Sequence, residues 1–575
     1  MTRLFYLLIA CCAIQNMQAQ IHVLSHSPAN MANSAPVSGN IEINFSEAYD
    51  PATINHNSVR VFGRWSGPMA STLIFGADNK SLTIAPDEPL MAGEWVTVNL
   101  ARNIASSNGM PMSKGYSWNF WTATKPGALE QEQVDVLFLR QAGEGLIQTY
   151  GAYAGDLNND GLSDFTVVNE TSDDLRILLN QGAGTFSDFE LIPMGNMSPS
   201  PNEGADFNND GEIDFAVSTA HHNEVRVFFG DGSGSFTGPD VYTTGDGARG
   251  LSIIDCNGDG YDDIFITNRL DDNITLLVND GQGQFTTSTM NTTGVGESAC
   301  YVADANGDGI LDVFIGMYYS KQLALLLGDG EGGFALSDMV TVTGSPWMIA
   351  AADFNGDGRA DVASANSDGN RMAIAFGDGQ GGLTEAIHFN AGLNTLFPLA
   401  IDLGDIDGDG DLEIVTSNYS SPSFVVFEND GNGSFTVASI LDASNKASCA
   451  ILHDRDGDGD MDISGTDEGD DVIILFENPG MPNATSSHSN APFRFEIRPN
   501  PSVEEASLWL HLDTPGKLAV RIYQPNGQLL HTGYLGHYSE GEQLIELPFV
   551  SQLPTGVYFV QVQMGEKSLW KKLLR

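Results

Sequence analysis

Short apolar runs recur along the chain and alternate with clusters of Gly, Asn and Asp. Residues 263–267 (Asp-Ile-Phe-Ile-Thr) and 274–278 (Ile-Thr-Leu-Leu-Val) are typical, being rich in β-branched and aromatic side chains. Residues 41–45 and 96–100 alternate apolar and polar positions instead. Both patterns are typical of β-strands, and the 64 glycines indicate many tight turns. The sequence therefore predicts an all-β protein.

The centre of the chain is an internal repeat. A nine-residue string, first seen at residues 156–164 (Asp-Leu-Asn-Asn-Asp-Gly-Leu-Ser-Asp), occurs seven times at steps of 49 to 52 residues. A Gly-rich string follows six of these copies and ends at Phe186, Phe236, Phe285, Phe334, Leu383 and Phe435. The apolar runs around the two strings predict four strands in each unit. Four strands repeated at this spacing are typical of β-propeller blades, so we predict a seven-bladed propeller.

The two ends of the repeat indicate how the ring closes. The seventh unit stops at residues 476–479 and lacks its Gly-rich string and last strand. A strand-like run upstream of the first loop, residues 134–139, supplies the missing strand. Pairing of this run with the last blade would remove the exposed sheet edges. An open solenoid is the alternative architecture, but it explains neither the incomplete seventh unit nor the additional strand upstream of the first loop.

The nine-residue strings, called the Asp loops, carry the ligands of a hard cation. Positions 1, 3 and 5 are Asp, Asn or Asp, and Asp; position 6 is Gly; position 9 is Asp or, in the sixth loop, Glu. Ca²⁺ takes roughly six to eight oxygen ligands, and crowded carboxylates repel one another without a cation. We expect up to seven structural Ca²⁺ ions, with these ligands: Asp156, Asn158, Asp160, Asp164, Asp206, Asn208, Asp210, Asp214, Asp255, Asn257, Asp259, Asp263, Asp304, Asn306, Asp308, Asp312, Asp353, Asn355, Asp357, Asp361, Asp405, Asp407, Asp409, Glu413, Asp454, Asp456, Asp458 and Asp462.

The Asp loops have two alternative interpretations, the EF-hand and metal-free turns. Position 12 never carries the Glu of an EF-hand, and a strand follows where that motif needs a helix. Asx-rich turns without metal are the other alternative, but they do not explain the crowding of carboxylates. With these loops and spacings, residues 130–480 resemble the FG-GAP/VCBS repeat family, which includes the propellers of integrin α-chains and many bacterial surface proteins. The resemblance implies Ca²⁺ in the loop between a blade's first two strands, and no particular activity.

Residues 20–125 form a separate unit with turn signals about every ten residues, which is the pattern of a small β-sandwich. This unit resembles the bacterial Ig-like domain, whose members mostly act as spacers or binding modules. The segments that carry the resemblance are residues 27–30, 45–47, 50–53, 90–93 and 116–120.

The two termini indicate export. Arg3, an apolar stretch and Ala19 predict a signal peptide, residues 1–19; lipid attachment at Cys11 is the alternative. No other stretch has the roughly 20 apolar residues of a membrane span. Residues 481–492 are a linker by composition. Residues 493–575 resemble the C-terminal sorting domain of the type IX secretion system, through the motifs at 499–501, 553–558 and 571–575.

The sorting resemblance implies a β-sandwich that the type IX secretion machinery recognises. It also implies passage through the outer membrane, followed by release or by attachment to the cell surface. We therefore predict a secreted or surface-attached protein.

Charge and cysteine content narrow the possible partners. The formal net charge is −50, and residues 126–490 contain 10 basic against 60 acidic side chains. Nucleic acids and anionic membranes require clustered positive charge, so the sequence argues against both. Cys256, Cys300 and Cys449 are too scattered for a disulfide framework, and we expect the last two to be buried free thiols.

Two classes of function fit these features. One is a non-catalytic binding or adhesion protein with an unspecified glycan or protein ligand; the other is an extracellular enzyme that acts on polysaccharides. An enzyme needs convergent titratable groups in a pocket, whereas the repeated acids already belong to the Asp loops, so we favour binding. The propeller face opposite the Asp loops is the expected ligand site, with these residues: His221, His222, Arg269, Tyr318, Tyr319, Trp347, Phe397 and Tyr419.

Overall fold

The computed structural model describes residues 20–575 apart from residues 142, 183, 196, 391–395, 481–492, 499–505, 513–514, 524–528, 540, 556 and 565–566. The predicted signal peptide and linker lie outside the described residues. Strands make up 54% and helices 2% of the structure, which confirms the all-β prediction.

Residues 20–125, the N-terminal sandwich, contain two packed sheets. Their strands are β1 (Val23–Ser27), β2 (Ala32–Ala35), β3 (Ile41–Phe45), β4 (Val59–Gly63), β5 (Gly67–Pro68), β6 (Ser71–Phe75), β7 (Ser81–Pro86), β8 (Trp95–Leu100) and β9 (Tyr116–Thr122), with a 3-10 turn at Pro51–Thr53. The sheet orders are β1-β3-β7-β6 and β2-β9-β8-β4-β5. Alternate apolar residues such as Ile43, Val98 and Trp118 are buried between the sheets, because successive side chains of a strand point to opposite faces.

The propeller consists of seven four-stranded antiparallel sheets within the described residues. Blades 1 to 6 each use four consecutive strands, and blade 7 combines three strands with β10. The strands are β10 (Glu132–Phe138); blade 1, β11 (Thr149–Gly155), β12 (Asp164–Asn169), β13 (Asp174–Leu178) and β14 (Glu190–Pro193); blade 2, β15 (Pro199–Ala205), β16 (Asp214–Thr219), β17 (Glu224–Gly230) and β18 (Phe236–Thr243); blade 3, β19 (Ala248–Ile254), β20 (Asp263–Asn268), β21 (Asn273–Asn279) and β22 (Phe285–Asn291); blade 4, β23 (Glu297–Ala303), β24 (Asp312–Met317), β25 (Gln322–Gly328) and β26 (Phe334–Thr341); blade 5, β27 (Pro346–Ala352), β28 (Asp361–Asn366), β29 (Arg371–Ala375) and β30 (Ile387–Asn390); blade 6, β31 (Pro398–Gly404), β32 (Glu413–Asn418), β33 (Ser423–Asn429) and β34 (Phe435–Asp442); blade 7, β35 (Ala447–His453), β36 (Asp462–Asp467) and β37 (Val472–Glu477).

The blades pack through their first and second strands. The first strand of each blade lies next to the first strand of the following blade, and β35 of blade 7 lies next to β11 of blade 1. Second strands such as β20 and β32 are buried along their whole length, because both of their faces meet neighbouring blades. Of the free cysteines, Cys256 and Cys300 are buried as part of these layers and Cys449 is half-buried.

The ring closes as the sequence predicts. Strand β10 pairs antiparallel with β37, with Val136 opposite Ile474 and Phe138 opposite Val472. A second bond joins the two ends of the ring, since Ser448 Oγ donates to the Thr149 carbonyl at 3.1 Å. The last blade therefore has no unpaired edge where the repeat is incomplete.

The C-terminal sandwich, residues 493–575, is built of two further sheets in the described residues, with orders β38-β39-β42 and β41-β40-β43-β44. Its strands are β38 (Phe493–Arg498), β39 (Ser507–Leu512), β40 (Gly516–Tyr523), β41 (Leu529–Tyr538), β42 (Gly541–Glu546), β43 (Val557–Met564) and β44 (Lys567–Leu574), with a 3-10 turn at Pro548–Gln552. Leu510, Val520 and Val560 belong to the core between the sheets.

Closure can be tested with two proline substitutions in β10. Leu137 lies opposite Ile473 in a pair that exchanges backbone bonds, because Leu139 N–H donates to the Asp471 carbonyl two residues away. Val134 sits at a break in the register and is exposed. We expect Leu137→Pro to lower the melting temperature of the propeller clearly more than Val134→Pro, because only the first removes a ladder bond. Equal melting of the two variants, measured by calorimetry, would favour an open array.

Candidate functional site

The connections between strands divide the propeller into two faces. The Asp loops join the first and second strands of each blade, and the Gly-rich turns join the third and fourth. In an antiparallel sheet these connections lie at one end, which we call the loop face. The turns between second and third strands, and the links between blades, lie on the opposite face, which we call the open face. The predicted metal ligands therefore lie on the loop face and the predicted ligand-binding residues on the open face.

Each Asp loop is organised around the side chain of its first residue. In the first loop, Asp156 Oδ2 accepts the N–H of Gly161 at 2.8 Å. Asp156 Oδ1 and Asn158 Oδ1 both accept the N–H of Asp160, at 3.0 and 3.1 Å. The second to fifth loops repeat this shared bond. Position 6 is glycine because its φ lies between 80° and 97°, a region that side chains disfavour. The bonds bring the oxygens of positions 1 and 3 together.

The acid at position 9 begins the second strand and is buried. The two oxygens of Asp214 accept backbone N–H groups of Phe207 and Gly230, both at 2.9 Å. Burial, together with the nearby carboxylates of Asp206 and Asp210, raises the pKa of Asp214 to about 8. Asp214 Oδ2 also accepts the N–H of Asn208 at 3.3 Å, whereas Oδ1 has a single donor and keeps a second lone pair. This acid can therefore tie the loop to the third strand and still contribute to a metal site.

The sixth and seventh loops bring carboxylates closest together among the described residues. One oxygen each of Asp405, Asp407 and Glu413 lie within 4.8 Å of one another. Burial raises the pKa of Glu413 well above its usual value, and the charges of Asp407 and Asp405 act in the same direction. Its Oε1 is buried and accepts no hydrogen bond. A buried oxygen without a donor, inside an acidic cluster, fits a hard cation such as Ca²⁺.

The seventh loop uses a different set of positions. Here Asp454, Asp456 and Asp458 come together, whereas the position-9 acid, Asp462, lies 3.7 Å from Nε of Arg455. Two aspartates at position 7, Asp411 and Asp460, are not among the predicted ligands. Burial raises the pKa of Asp411 to about 8 and that of Asp460 to about 9, with help from neighbouring carboxylates. The signal was visible in the sequence, since the sixth and seventh loops are the ones with Asp at position 7.

The N-terminal sandwich lies on the loop face and hydrogen-bonds to all seven Asp loops. The side chains of Asn30, Asn33 and Thr124 donate to the carbonyls of Asp304, Asp353 and Asp405, at 3.0, 2.9 and 2.9 Å. The other four loops are contacted by Arg60 (Asp206, 3.2 Å) and by backbone bonds of Trp65 (Asp156), Arg102 (Gly258) and Lys125 (Gly459), each 2.7 Å. The sequence predicts the sandwich as a separate unit and gives no sign of these bonds between the sandwich and the Asp loops.

Tryptophan side chains fill the interface between the sandwich and the blades. The rings of Trp95 and Trp121 are 5.1 Å apart, and Trp95 lies 6.2 Å from Tyr301 of blade 4. Both tryptophans belong to the same buried cluster as Ile349 of blade 5. Trp65 is buried against His453 of blade 7. The interface therefore has an apolar centre with polar bonds around it, as stable interfaces do.

A cavity of about 170 Å³ lies inside the ring of first strands, beneath the sandwich. Arg64 of the sandwich extends into it and pairs with Asp402 at 2.9 Å. The Tyr153 hydroxyl donates to the Arg64 carbonyl at 2.6 Å. Burial raises the pKa of Glu203 to about 7, although the nearby Arg64 opposes this rise. The sandwich thus covers the loop-face end of the propeller axis.

At the open face, a bulge recurs at the start of every first strand. The register with the second strand breaks after the first residue in all seven blades. A bulge changes the direction in which the neighbouring side chains point. At these bulges the side chains of Tyr150, Arg249 and Trp347, from blades 1, 3 and 5, contact one another. Trp347 Nε1 donates to the Tyr150 hydroxyl at 2.9 Å. The Arg249 guanidinium lies 5.4 and 5.9 Å from the two ring centres.

Five aromatic rings form a row from blade 4 to blade 6 on this face. In order they are Tyr319, Tyr318, Trp347, Phe397 and Tyr419, with successive centres 5.3, 5.2, 6.1 and 6.0 Å apart. Tyr319 is exposed and the other four are half-buried. The structure therefore brings six of the eight predicted open-face residues together, counting Arg269, which contacts Trp347.

The two histidines predicted for this face do not join the row. His221 and His222 are exposed in the turn between the second and third strands of blade 2, and the described structure records no ring contact for either. A histidine that the prediction missed, His453, lies between Ser163 and Ser464, at 2.6 and 2.8 Å. It is fully buried beneath Trp65, and this burial lowers its pKa to about 3. The serine–histidine contact is therefore closed to substrates.

Comparison with known families identifies the repeat. The family model for the FG-GAP-like repeat matches six overlapping stretches, each running from one Asp loop into the second strand of the next blade: residues 156–217, 206–266, 255–315, 304–364, 353–416 and 405–464. The chain belongs to the FG-GAP-like repeat family. In this FG-GAP protein, the models for the bacterial Ig-like domain and the secretion system C-terminal sorting domain match residues 18–122 and 496–574. All three predicted resemblances are confirmed.

The sorting domain indicates where this FG-GAP protein is found. It directs secretion through the type IX system, with attachment to the cell surface or release. Among the described residues, no helix is long and apolar enough to span a membrane. A comparison with curated protein sequences gives no significant match.

Three solved structures are among those to which the chain is similar. A lectin from Agrocybe aegerita, described as recognising non-reducing terminal N-acetylglucosamine, is 18% identical, with a TM-score of 0.41 and coverage of 74% of this chain and 94% of its own. A protein from Lactobacillus plantarum is 14% identical, with a TM-score of 0.41 and coverage of 68% and 98%. A functionally unknown protein from Desulfotomaculum acetoxidans is 12% identical, with a TM-score of 0.34 and coverage of 57% and 98%.

The docked position of the N-terminal sandwich is open to a direct test. Replacing Trp95 with Ala removes buried ring area at the centre of the interface, so we expect faster hydrogen exchange in the Asp loops, which the sandwich covers. Leu24→Ala, on the exposed side of the same sandwich, should leave loop exchange unchanged. Unchanged exchange in the Trp95 variant, followed by mass spectrometry, would contradict the docked arrangement.

Proposed function

We propose that this FG-GAP protein is a calcium-stabilised, non-catalytic binding or adhesion protein that presents its open face to an extracellular ligand. One observation carries the proposal. The aromatic row lies at the end of the propeller that the sandwich leaves uncovered. Half-buried aromatic rings on an accessible surface are the side chains that most often anchor ligands.

The equivalent positions of the repeat support a binding role for this row. The residue that follows the second strand is Glu170, Ala220, Arg269, Tyr318, Ser367, Tyr419 and Glu468 in blades 1 to 7. In every blade its backbone N–H donates to the carbonyl of the residue immediately before the first strand of the same blade. The fold thus sets the backbone at this position and leaves the side chain free to vary. Aromatic residues there in blades 4 and 6 serve something other than the blade itself.

Calcium in the Asp loops would be structural in this proposal. The loops of every blade gather oxygen ligands, and burial raises the pKa values of Asp255 and Asp405 to about 7 and those of Asp312 and Asp361 to about 8. Acids buried so close to one another cost stability unless a cation offsets their charge. The loops lie beneath the sandwich rather than beside the aromatic row, which supports a stabilising role over a direct role in ligand binding.

Binding is favoured over catalysis by the state of the acids on the open face. Both oxygens of Glu170 are engaged, one by Arg249 and one by the amide of Gln148, each at 3.0 Å. Glu468 accepts a hydrogen bond from the Tyr419 hydroxyl at 2.9 Å. A hydrolase needs an acid that can transfer a proton to its substrate, and the ion pair with Arg249 makes Glu170 poorly suited to that role.

Removal of calcium should destabilise the propeller selectively. A ligand bound only to the folded state stabilises it by mass action, by roughly 1 kcal/mol for a site with calcium at several times its Kd. We expect a chelator to lower the melting temperature of the propeller and to leave the C-terminal sandwich unchanged. Glu413→Gln should reduce this calcium effect, whereas Glu331→Gln, at an exposed position of a Gly-rich turn, should not. Identical melting curves with and without chelator would rule out structural calcium.

Ligand binding should depend on the aromatic row. We expect Trp347→Ala to abolish retention on the polysaccharides and glycan arrays that bind the unmodified protein, because the ring lies at the centre of the row. Trp509→Ala replaces an exposed tryptophan of the C-terminal sandwich and is the matched control. The same panel is assayed for released reducing ends. Product release from any polymer would support the enzyme alternative, and equal binding by both variants would place the ligand elsewhere.

A further inference from the structure

Basic side chains contact the aromatic rings of the open face, although the propeller as a whole is acidic. Residues 126–490 carry 10 basic against 60 acidic side chains. Three of the ten, Arg249, Arg269 and Lys446, lie over aromatic rings of this face. Arg249 and Arg269 both lie over the ring of Trp347, at 5.9 and 5.1 Å. Two guanidinium groups over one ring form a local positive site.

The two arginines differ in their partners. Arg249 forms an ion pair with Glu170 at 3.0 Å and donates to Ser200 Oγ at 3.2 Å. The Arg269 side chain, in contrast, has no ion pair and no hydrogen bond to any described residue, and its Nε is buried without an acceptor. Tyr318 and Trp347 contact it through their rings, at 5.6 and 5.1 Å. Rings attract a cation but accept no conventional hydrogen bond.

The acids nearest to Arg269 in sequence are already occupied. Asp271 accepts the N–H of Asp246, and Asp272 accepts the N–H of Gly296, both at 2.8 Å. Burial is the main cause that lowers the pKa of Arg269, and the nearby charge of Arg249 acts in the same direction. A partly buried charge without a partner is costly, so a group that supplies an anion here would gain from it.

From this arrangement we infer that the open face binds an acidic saccharide, with the carboxylate of a uronate residue on Arg269 and sugar rings on the aromatic row. This inference rests on the binding function proposed above and specifies its ligand. A guanidinium offers a planar fork of donors that matches a carboxylate. The row continues beyond Arg269 to Phe397 and Tyr419, so neighbouring sugar rings find further flat apolar surfaces. The acidic surroundings repel polyanions at long range, which favours a ligand that is acidic at the contact point and stacks elsewhere.

The inference can be tested with two ligands that differ at one carboxyl group. The probes are an oligosaccharide with a single galacturonate residue among neutral sugars and the methyl ester of that residue, measured by calorimetry against the full-length, calcium-loaded protein. We expect the acid to bind roughly 10- to 100-fold more tightly, which is the range for one charge-assisted contact. Arg269→Gln should remove this preference and leave the affinity for the ester unchanged. Arg371→Gln, at an exposed arginine at the start of β29, is the matched control and should retain the preference.

Other outcomes separate the two proposals. If acid and ester bind equally, the preference for acidic sugars is wrong and the binding function stands. If Arg269→Gln lowers the affinity for both ligands equally, Arg269 only holds the aromatic row in place and does not recognise the carboxylate, and the inference is wrong. A polyglutamate peptide or a sulfated oligosaccharide that binds more tightly than the uronate, through Arg269, would overturn the uronate assignment. If neither probe binds, the uronate assignment fails, whereas the binding function is judged by the effect of Trp347→Ala on retention by polysaccharides and glycan arrays. If Arg269→Gln lowers the melting temperature, Arg269→Lys is used in its place. Lysine keeps the positive charge and loses the planar guanidinium, so we expect part of the preference for the acid over the ester to be lost.

Discussion

The architecture of this FG-GAP protein depends on the burial of carboxylates in seven Asp loops. Each loop accepts backbone N–H groups with its position-1 acid, and the position-9 acid ties the loop to the strands of its blade. These bonds satisfy single lone pairs and do not remove the repulsion between acids. The raised pKa values of Asp214, Glu413 and Asp460 express that repulsion together with burial. In the proposed function, a cation bound by these carboxylates would offset the repulsion and cross-link each loop.

The position of the N-terminal sandwich follows from the same loops. Their carbonyl groups and carboxylates face outward at one end of the ring, where they accept bonds from Asn30, Asn33 and Arg60. Once the sandwich lies there, the two ends of the propeller axis are no longer equivalent. The covered end holds the acidic loops, and the open end holds the aromatic row with Arg269. The position of the sandwich thus separates the acidic Asp loops, the proposed calcium sites, from the aromatic row, the proposed ligand-binding site.

The repeat made the propeller, its seven blades and the closing strand predictable from the sequence, because strict spacing and a missing last strand leave little choice of topology. Docking of the sandwich was not predictable, since Trp95 and Trp121 lie in apolar strands and look like core residues of their own domain. The meeting of Tyr150, Arg249 and Trp347 also depends on closure of the ring. The aromatic residues of the open face were identified from topology, but His221 and His222 were not distinguished from them, because turn position alone does not show which side chains converge.

The most direct test of this account is a crystal structure of the full-length protein grown with calcium, with anomalous diffraction recorded at long wavelength. We expect anomalous peaks in the Asp loops, including the cluster of Asp405, Asp407 and Glu413, beneath an N-terminal sandwich that contacts all seven loops. The open face should carry no such peak. Loops without peaks at saturating calcium, or a sandwich placed away from them, would contradict the account.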